Sequence, residues 1–394
     1  MNLEQLDKKY VLNTYKRNYT NFIKGNNATL WDQNNKKYID FSSGIGVVSV
    51  GHGNKAVSTV ISEQVEKITH ISNLFVIEPQ ALLAEKIMNL SGLNMQCFFA
   101  NSGAEANEAA IKIARKYGQQ KYNGKRYKVI TLENSFHGRT IATAKATGQQ
   151  SIHKKDFSPY PKGFSFDKNI ESLYSSIDEE TVAVMIELIQ GEGGICQFKV
   201  EEIQVLSAFL KQKDILLIVD EVQTGVYRTG EFLASNLYKI EPDIITLAKG
   251  IAGGVPIGVM MTKQKDIFEQ GDHGSTFGGN YLSCVAGLKV CEILETHKKK
   301  GDLDRTISYF CKSLNLIYEN NRDIFDSIVG VGLMQGLRLK NENKLKDIIA
   351  EALDVGVIVL KSGKNILRFL PPLTISKNEI DDGFQRLNLS LKGV

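Results

Sequence analysis

Short apolar runs alternate with longer amphipathic stretches along most of this chain. The runs fall at residues 95–100, 127–132, 182–189, 215–219, 244–247 and 257–261. Several are rich in Val and Ile and continuous rather than alternating, which is the pattern of strands covered on both faces. Amphipathic stretches predict helices between them, at 105–117 and 201–211. Strand, helix and strand in succession predict a parallel α/β sheet. The last hundred or so residues read differently. Helical patterns at 283–297 and 303–320 precede strand-like runs at 328–337, 356–359 and 366–369, which suggests a smaller α+β unit. A strand-like pair near the start, 28–31 and 37–41, is placed with that unit. The expected fold is therefore α/β, a large domain with a mostly parallel sheet flanked by helices, plus a smaller α+β domain. The expected division is residues 1–50 joining the small domain, 51–290 as the large domain and 291–394 as the small one.

Composition narrows the class. The 394 residues are 42% hydrophobic and 23% charged, which excludes a disordered, collagen-like or coiled-coil chain. A net charge of +4, spread over 48 basic and 44 acidic residues, leaves no clustered basic footprint for nucleic acid. Five cysteines, an odd number without a CxxC pair, point to reduced thiols and a cytoplasmic location. The most apolar long stretch, 244–261, contains Lys249, Pro256 and four glycines, so no membrane association is expected.

In an open parallel sheet, ligands bind beyond the carboxyl ends of the strands. Four loops at such positions carry chemistry. After 95–100 comes Asn101-Ser102-Gly103-Ala104-Glu105, a turn into a helix whose free amides suit a phosphate. Ordinary N-capping by Ser102 accounts for the same pattern. After 127–132 come Phe136, His137 and Arg139. Arg139 suits a carboxylate or, equally, a structural cap. Asp220 follows five apolar residues, where an acid needs a partner. A cationic ring nitrogen, a salt bridge or Mg²⁺ each meets that need. Lys249 lies in an apolar, glycine-flanked turn. It is either a desolvated, nucleophilic amine or a lysine snorkelling to the surface. Taken together, a phosphate cup, an aromatic face, an acid and a buried amine are the parts that a pyridoxal 5′-phosphate site requires. Walker A, HExxH, GxSxG and GxGxxG motifs do not occur, and no metal site is expected.

The stretches NSGAEANEAAIKIARKY, SFHGRT, ELIQGEGG, LLIVDEVQTG, TLAKGIAGGVPIG, HGSTFGGN and LRFLPPL span residues 101–373 in one order. In these the chain resembles the class III (fold-type I) pyridoxal-phosphate aminotransferases. The resemblance extends to Tyr15 and DFSSGIGVVSVGHGN in the N-terminal region. It implies that Lys249 bonds the cofactor and then carries protons, that Asp220 pairs with the pyridine nitrogen, and that Gln223 bonds the phenolic oxygen. It implies that Phe136 stacks on the ring, and that Gly103, Ala104 and Ser102 hold the phosphate. Ser275 and Thr276 would reach the phosphate of a second subunit, so the resemblance implies a homodimer with shared active sites. Arg368 would bind the α-carboxylate of glutamate, with Glu192 masking it when the other donor enters. Arg139 would take the distal carboxylate of both, and Glu187 would support the hydrogen bonds beside the ring.

Within the family the resemblance is strongest to members that use N²-acetylornithine and 2-oxoglutarate in arginine biosynthesis. Ile45 stands where ornithine-using members have Tyr, and an apolar residue there favours an acylated α-nitrogen. The alternatives are succinyldiaminopimelate, succinylornithine, ornithine, lysine or 4-aminobutyrate as donor, or an isomerase like glutamate-1-semialdehyde aminomutase. Lys55, Leu188, Tyr227 and Tyr281 depart from the family pattern, the first, second and fourth where Pro is usual.

Overall fold

The computed structural model describes residues 1–392. Its largest sheet has seven strands, in spatial order Gln96–Ala100, Gly258–Thr262, Ile244–Leu247, Leu216–Asp220, Thr181–Ile186, Lys128–Leu132 and Phe164–Asp167. All are parallel except Gly258–Thr262, which runs antiparallel to both neighbours. Only residues 248–257 connect it to Ile244–Leu247, too short a link for the crossover that a parallel pair requires.

Successive residues of the central strands feed two separate cores. Ala183, Met185, Leu216 and Ile218 face the helix Gly103–Tyr122, whose Ala106, Ala109, Ala110, Ile113 and Ala114 form a nearly flat contact surface. Val184, Ile186, Leu217 and Val219 face the opposite way, onto Ile203, Leu206 and Leu210 of the helix Val200–Gln212. Covering on both sides explains why these strands read as unbroken apolar runs. Each such Leu or Ile taken fully from water contributes about 1.5–3 kcal/mol.

A second sheet is antiparallel, in the order Phe325–Val331, Met334–Leu339, Ile366–Phe369 and Leu360–Ser362. The run expected as one strand at 328–337 is a hairpin that turns at Gly332. Glycine is required there, because φ is +61° and a Cβ would lie 2.5 Å from the Arg228 carbonyl oxygen. A third sheet joins Phe22–Asn26, Thr29–Asp32 and Lys37–Asp40 to Val357–Ile358, so the beginning and end of the chain pair directly. Phe41, Phe310, Phe369 and Phe384 pack together here, with ring centroids 4.9 Å apart for Phe41 and Phe384. This cluster fixes Phe369, the neighbour of Arg368.

Because the flanking strands run the same way, the ends at Ala100, Leu132, Ile186, Asp220 and Leu247 share one edge of the large sheet. The antiparallel strand begins at that edge. All four chemistry-bearing loops therefore meet.

Candidate active site

A cavity of about 610 Å³ opens at this edge, lined by residues of all four loops. Ser102 is the N-cap of the helix Gly103–Tyr122, and its Oγ accepts from the Glu105 amide at 3.2 Å. The capping explanation thus holds. The amides of Gly103 and Ala104 begin the helix and have no partner within it. A Cβ at Gly103 would lie 2.8 Å from Val222 Cγ1, so only glycine lets the helix start approach the opposite wall.

Asp220 is buried at the end of its strand. Its Oδ2 accepts from Asn107 Nδ2 at 2.7 Å and from His137 Nδ1 at 2.8 Å, and its Oδ1 accepts from the Val222 amide at 3.0 Å. Asn107 Oδ1 in turn accepts from Thr246 Oγ1 at 2.7 Å. These donors orient the carboxylate, which lines the cavity and makes no Lys or Arg ion pair among the described residues. His137 Nε2 is buried without a partner among the described residues.

Lys249 begins a single 3₁₀ turn, Lys249–Ala252, with a left-handed φ of +43°. A non-glycine residue in that region is strained, and the surrounding structure must enforce it. Its side chain is half-buried and lines the cavity rather than reaching open solvent. Burial holds its amine below the ordinary lysine value. Glu192 and Asp220 oppose the shift, and the Arg368 cation reinforces it.

The Phe136 ring lines the cavity, with the Arg139 guanidinium 5.4 Å from its centroid. Arg139 is exposed at the cavity and makes no ion pair among the described residues. Glu187 ties two loops together. Its Oε1 accepts from the Phe136 amide at 2.8 Å and its Oε2 from the Gly191 amide at 3.3 Å. Burial raises its carboxyl to about 7.

Glu192 and Arg368 form a bidentate pair, with Nη1 to Oε1 at 2.6 Å and Nη2 to Oε2 at 3.3 Å. Arg368 Nη1 also donates to the Gly191 carbonyl at 3.0 Å and to Gln223 Oε1 at 3.3 Å. Gln223 Nε2 reaches Glu192 Oε1 at 3.4 Å. Burial pushes the Glu192 carboxyl up, but the guanidinium outweighs it and holds the group below its usual range. Glu192 lines the cavity, while Arg368 lies behind it.

The remaining expected residues lie farther out. Tyr15 lines the cavity but is largely exposed. Ile45 is exposed, on a left-handed turn in which Ser43, Gly44, Ile45 and Gly46 all have positive φ. Val47, just beyond it, lines the cavity instead. Ser275 Oγ accepts from Asn101 Nδ2 of its own chain at 3.1 Å, and Thr276 is exposed. Neither lines the cavity of its own chain. Asn107 received no role from sequence, although a lone Asn within an Ala-rich helix face was a visible signal.

The donor set fits one kind of group. Free helix-start amides suit a phosphate, an oriented buried carboxylate suits a ring nitrogen, and a desolvated amine suits an aldehyde. Phe136 and Val222 supply apolar faces for a flat ring. Sheet and site together define a pyridoxal-phosphate enzyme of the open α/β type.

Comparison with known proteins agrees. The sequence profile described as aminotransferase class-III matches residues 11–391. The acetylornithine aminotransferase of Wolinella succinogenes is 56% identical over 393 residues, covering 99% of this chain and 100% of that protein. The ornithine aminotransferase of Toxoplasma gondii, with pyridoxal phosphate at its active site, superposes with a TM-score of 0.92 at 29% identity, covering 99% of this chain and 94% of its own. The N-acetylornithine aminotransferase of Stenotrophomonas maltophilia K279a gives a TM-score of 0.84 at 29% identity, covering 99% of both chains. The chain belongs to the class-III aminotransferases. It is an enzyme that moves an amino group using pyridoxal 5′-phosphate. No described helix is long and apolar enough to cross a membrane.

Proposed function

We propose that the protein transfers the terminal amino group of N²-acetylornithine to 2-oxoglutarate, giving N-acetylglutamate 5-semialdehyde and glutamate. The observation that carries this reading is the Glu192–Arg368 pair, whose Glu192 lines the same cavity as Lys249 and as Arg139, which makes no ion pair among the described residues. An enzyme with these two substrates needs one carboxylate-binding site in both half-reactions and a second only for glutamate. Arg139 supplies the first. Arg368 supplies the second, and Glu192 neutralises it whenever the substrate brings no carboxylate there. The similarity to acetylornithine aminotransferases supports this donor.

In this reading Gly103, Ala104 and Ser102 hold the phosphate, Asp220 the ring nitrogen, Gln223 the phenolic oxygen and Phe136 one ring face. When bound, the cofactor supplies an electron sink for the C–H bond that must break. Asn107 and His137 keep Asp220 aimed into the cavity. Burial lowers the proton affinity of Lys249 Nζ, which leaves it free to take the proton from the δ-carbon of the donor and, in the second half-reaction, to deliver one to the α-carbon that becomes glutamate's, the proton being held on the bound cofactor between the two. Glu187 holds the Phe136 and Gly191 loops at a fixed separation. We further propose a cytoplasmic homodimer in which Ser275 and Thr276 complete the partner's phosphate cup. The division at residues 50 and 290 belongs to the same proposal.

Mass spectrometry of products tests the donor. Glutamate and N-acetylglutamate 5-semialdehyde are expected in equal amounts. Faster conversion of ornithine, 4-aminobutyrate or succinyldiaminopimelate contradicts the assignment.

A further inference from the structure

Arg228 is 2% exposed and makes no ion pair among the described residues. Burial of such an unpaired cation is costly, and here it lowers the guanidinium to about 9. The loop that delivers it is strained too, since Val226 and Tyr227 both have left-handed φ, at +56° and +65°. Two unfavourable features at adjacent positions call for a compensating contact, and the contacts are specific. Arg228 Nη1 donates to the Leu333 carbonyl at 3.0 Å and to the Pro371 carbonyl at 2.6 Å. Its own carbonyl accepts from the Leu333 amide at 2.9 Å.

Leu333 and Pro371 are related by the ladder that carries Arg368. In that ladder Gly336 pairs with Arg368 and Gln335 with Phe369. Two residues farther out on each strand are Leu333 and Pro371. The guanidinium thus closes the open end of the strand pair, three residues from Arg368 along the chain. Arg228 itself lies on the loop that leaves Gln223, whose Oε1 is 3.3 Å from Arg368 Nη1. One side chain therefore joins the loop at the cofactor end of the site to the strand pair that presents Arg368.

We propose that Arg228 is a positioning residue that sets where Arg368 stands relative to Glu192 and Gln223, and so how well the second carboxylate of a dicarboxylate substrate is bound. The proposal rests on the reading of Arg368 as the α-carboxylate site. Arg228 touches no substrate, and its effect is confined to the half-reaction that uses Arg368.

The test uses holoenzyme carrying Arg228→Lys or Arg228→Gln, with Arg368→Lys in parallel. The readouts are the calorimetric Kd for glutarate, an unreactive dicarboxylate, and the two half-reactions followed separately with glutamate and with N-acetylornithine. The Arg228 variants are expected to weaken glutarate and raise the KM for glutamate by about tenfold, the scale of one charged hydrogen bond. The N-acetylornithine half-reaction should stay within about twofold. Gly332→Ala presses on the same clamp from the other side without altering the guanidinium, and the same split is expected from it if the Arg228 variants fail to fold. Equal losses in both half-reactions, or unchanged glutarate binding, overturn the proposal. If Arg368→Lys also leaves glutarate binding intact, the Arg368 reading fails and this proposal falls with it. If Arg368→Lys alone weakens it, only the role of Arg228 is wrong.

Discussion

Glu192 stands between Arg368 and the cavity, its Oε1 2.6 Å from Arg368 Nη1. The guanidinium therefore meets an incoming carboxylate only if Glu192 gives way. This geometry makes the two half-reactions unequal in what they ask of the protein. Replacing Arg368 by Ala is expected to slow the glutamate half-reaction by roughly 10- to 100-fold, the range for a lost hydrogen bond to a charged group. The N-acetylornithine half-reaction should change severalfold at most. Stopped-flow absorbance of each half-reaction checks this, and equal losses in both would count against the masking role. Glu192→Gln should show the opposite bias, because it leaves an unmasked cation for the donor, which brings no carboxylate to that position.

Glu187 makes stability depend on pH. Burial raises its carboxyl from the ordinary 4.5 to about 7. Between those values the folded chain binds more protons than the unfolded one, so the contribution of this group is complete below about 4.5 and is lost as pH rises through 7. Thermal unfolding of the cofactor-free protein should therefore show wild type losing stability relative to Glu187→Gln between pH 5 and 7.5. A constant difference across that window would mean that Glu187 is ionised throughout.

Ser275 and Thr276 lie outside the cavity of their own chain. If they serve a partner's phosphate cup, Ser275→Ala with Thr276→Val should weaken cofactor binding about tenfold. Dilution below the dimer dissociation constant should release cofactor from wild type as well. Sedimentation combined with cofactor absorbance measures both, and a fully loaded monomer would exclude the shared site.

Much of the fold was legible because its strands are covered on both faces. The runs around Val184 and Ile218 had no polar alternation to obscure them, and Asp220 and Lys249 stood out as charges directly after such runs. The antiparallel course of Gly258–Thr262 was not legible, since its composition matches its parallel neighbours and only the length of the preceding loop sets its direction. The hairpin at Gly332 was hidden because the strands on both sides of the turn are apolar. At the site, residue type revealed the charged groups but not their order in depth. No local pattern shows that Glu192 faces the cavity and Arg368 lies behind it, or that Asn107 and Arg228 reach across the fold to partners more than a hundred residues away.

The central claim is tested most directly by the visible absorbance of the purified holoenzyme on adding N-acetylornithine with no keto acid present. The account predicts that the band of lysine-bound cofactor bleaches to the amine form, that adding 2-oxoglutarate restores it, and that Lys249→Ala, which should also abolish turnover, shows no such cycle. A band that stays unmoved by N-acetylornithine but bleaches with another amine would contradict the assigned donor. A full cycle in Lys249→Ala would contradict the assigned chemistry.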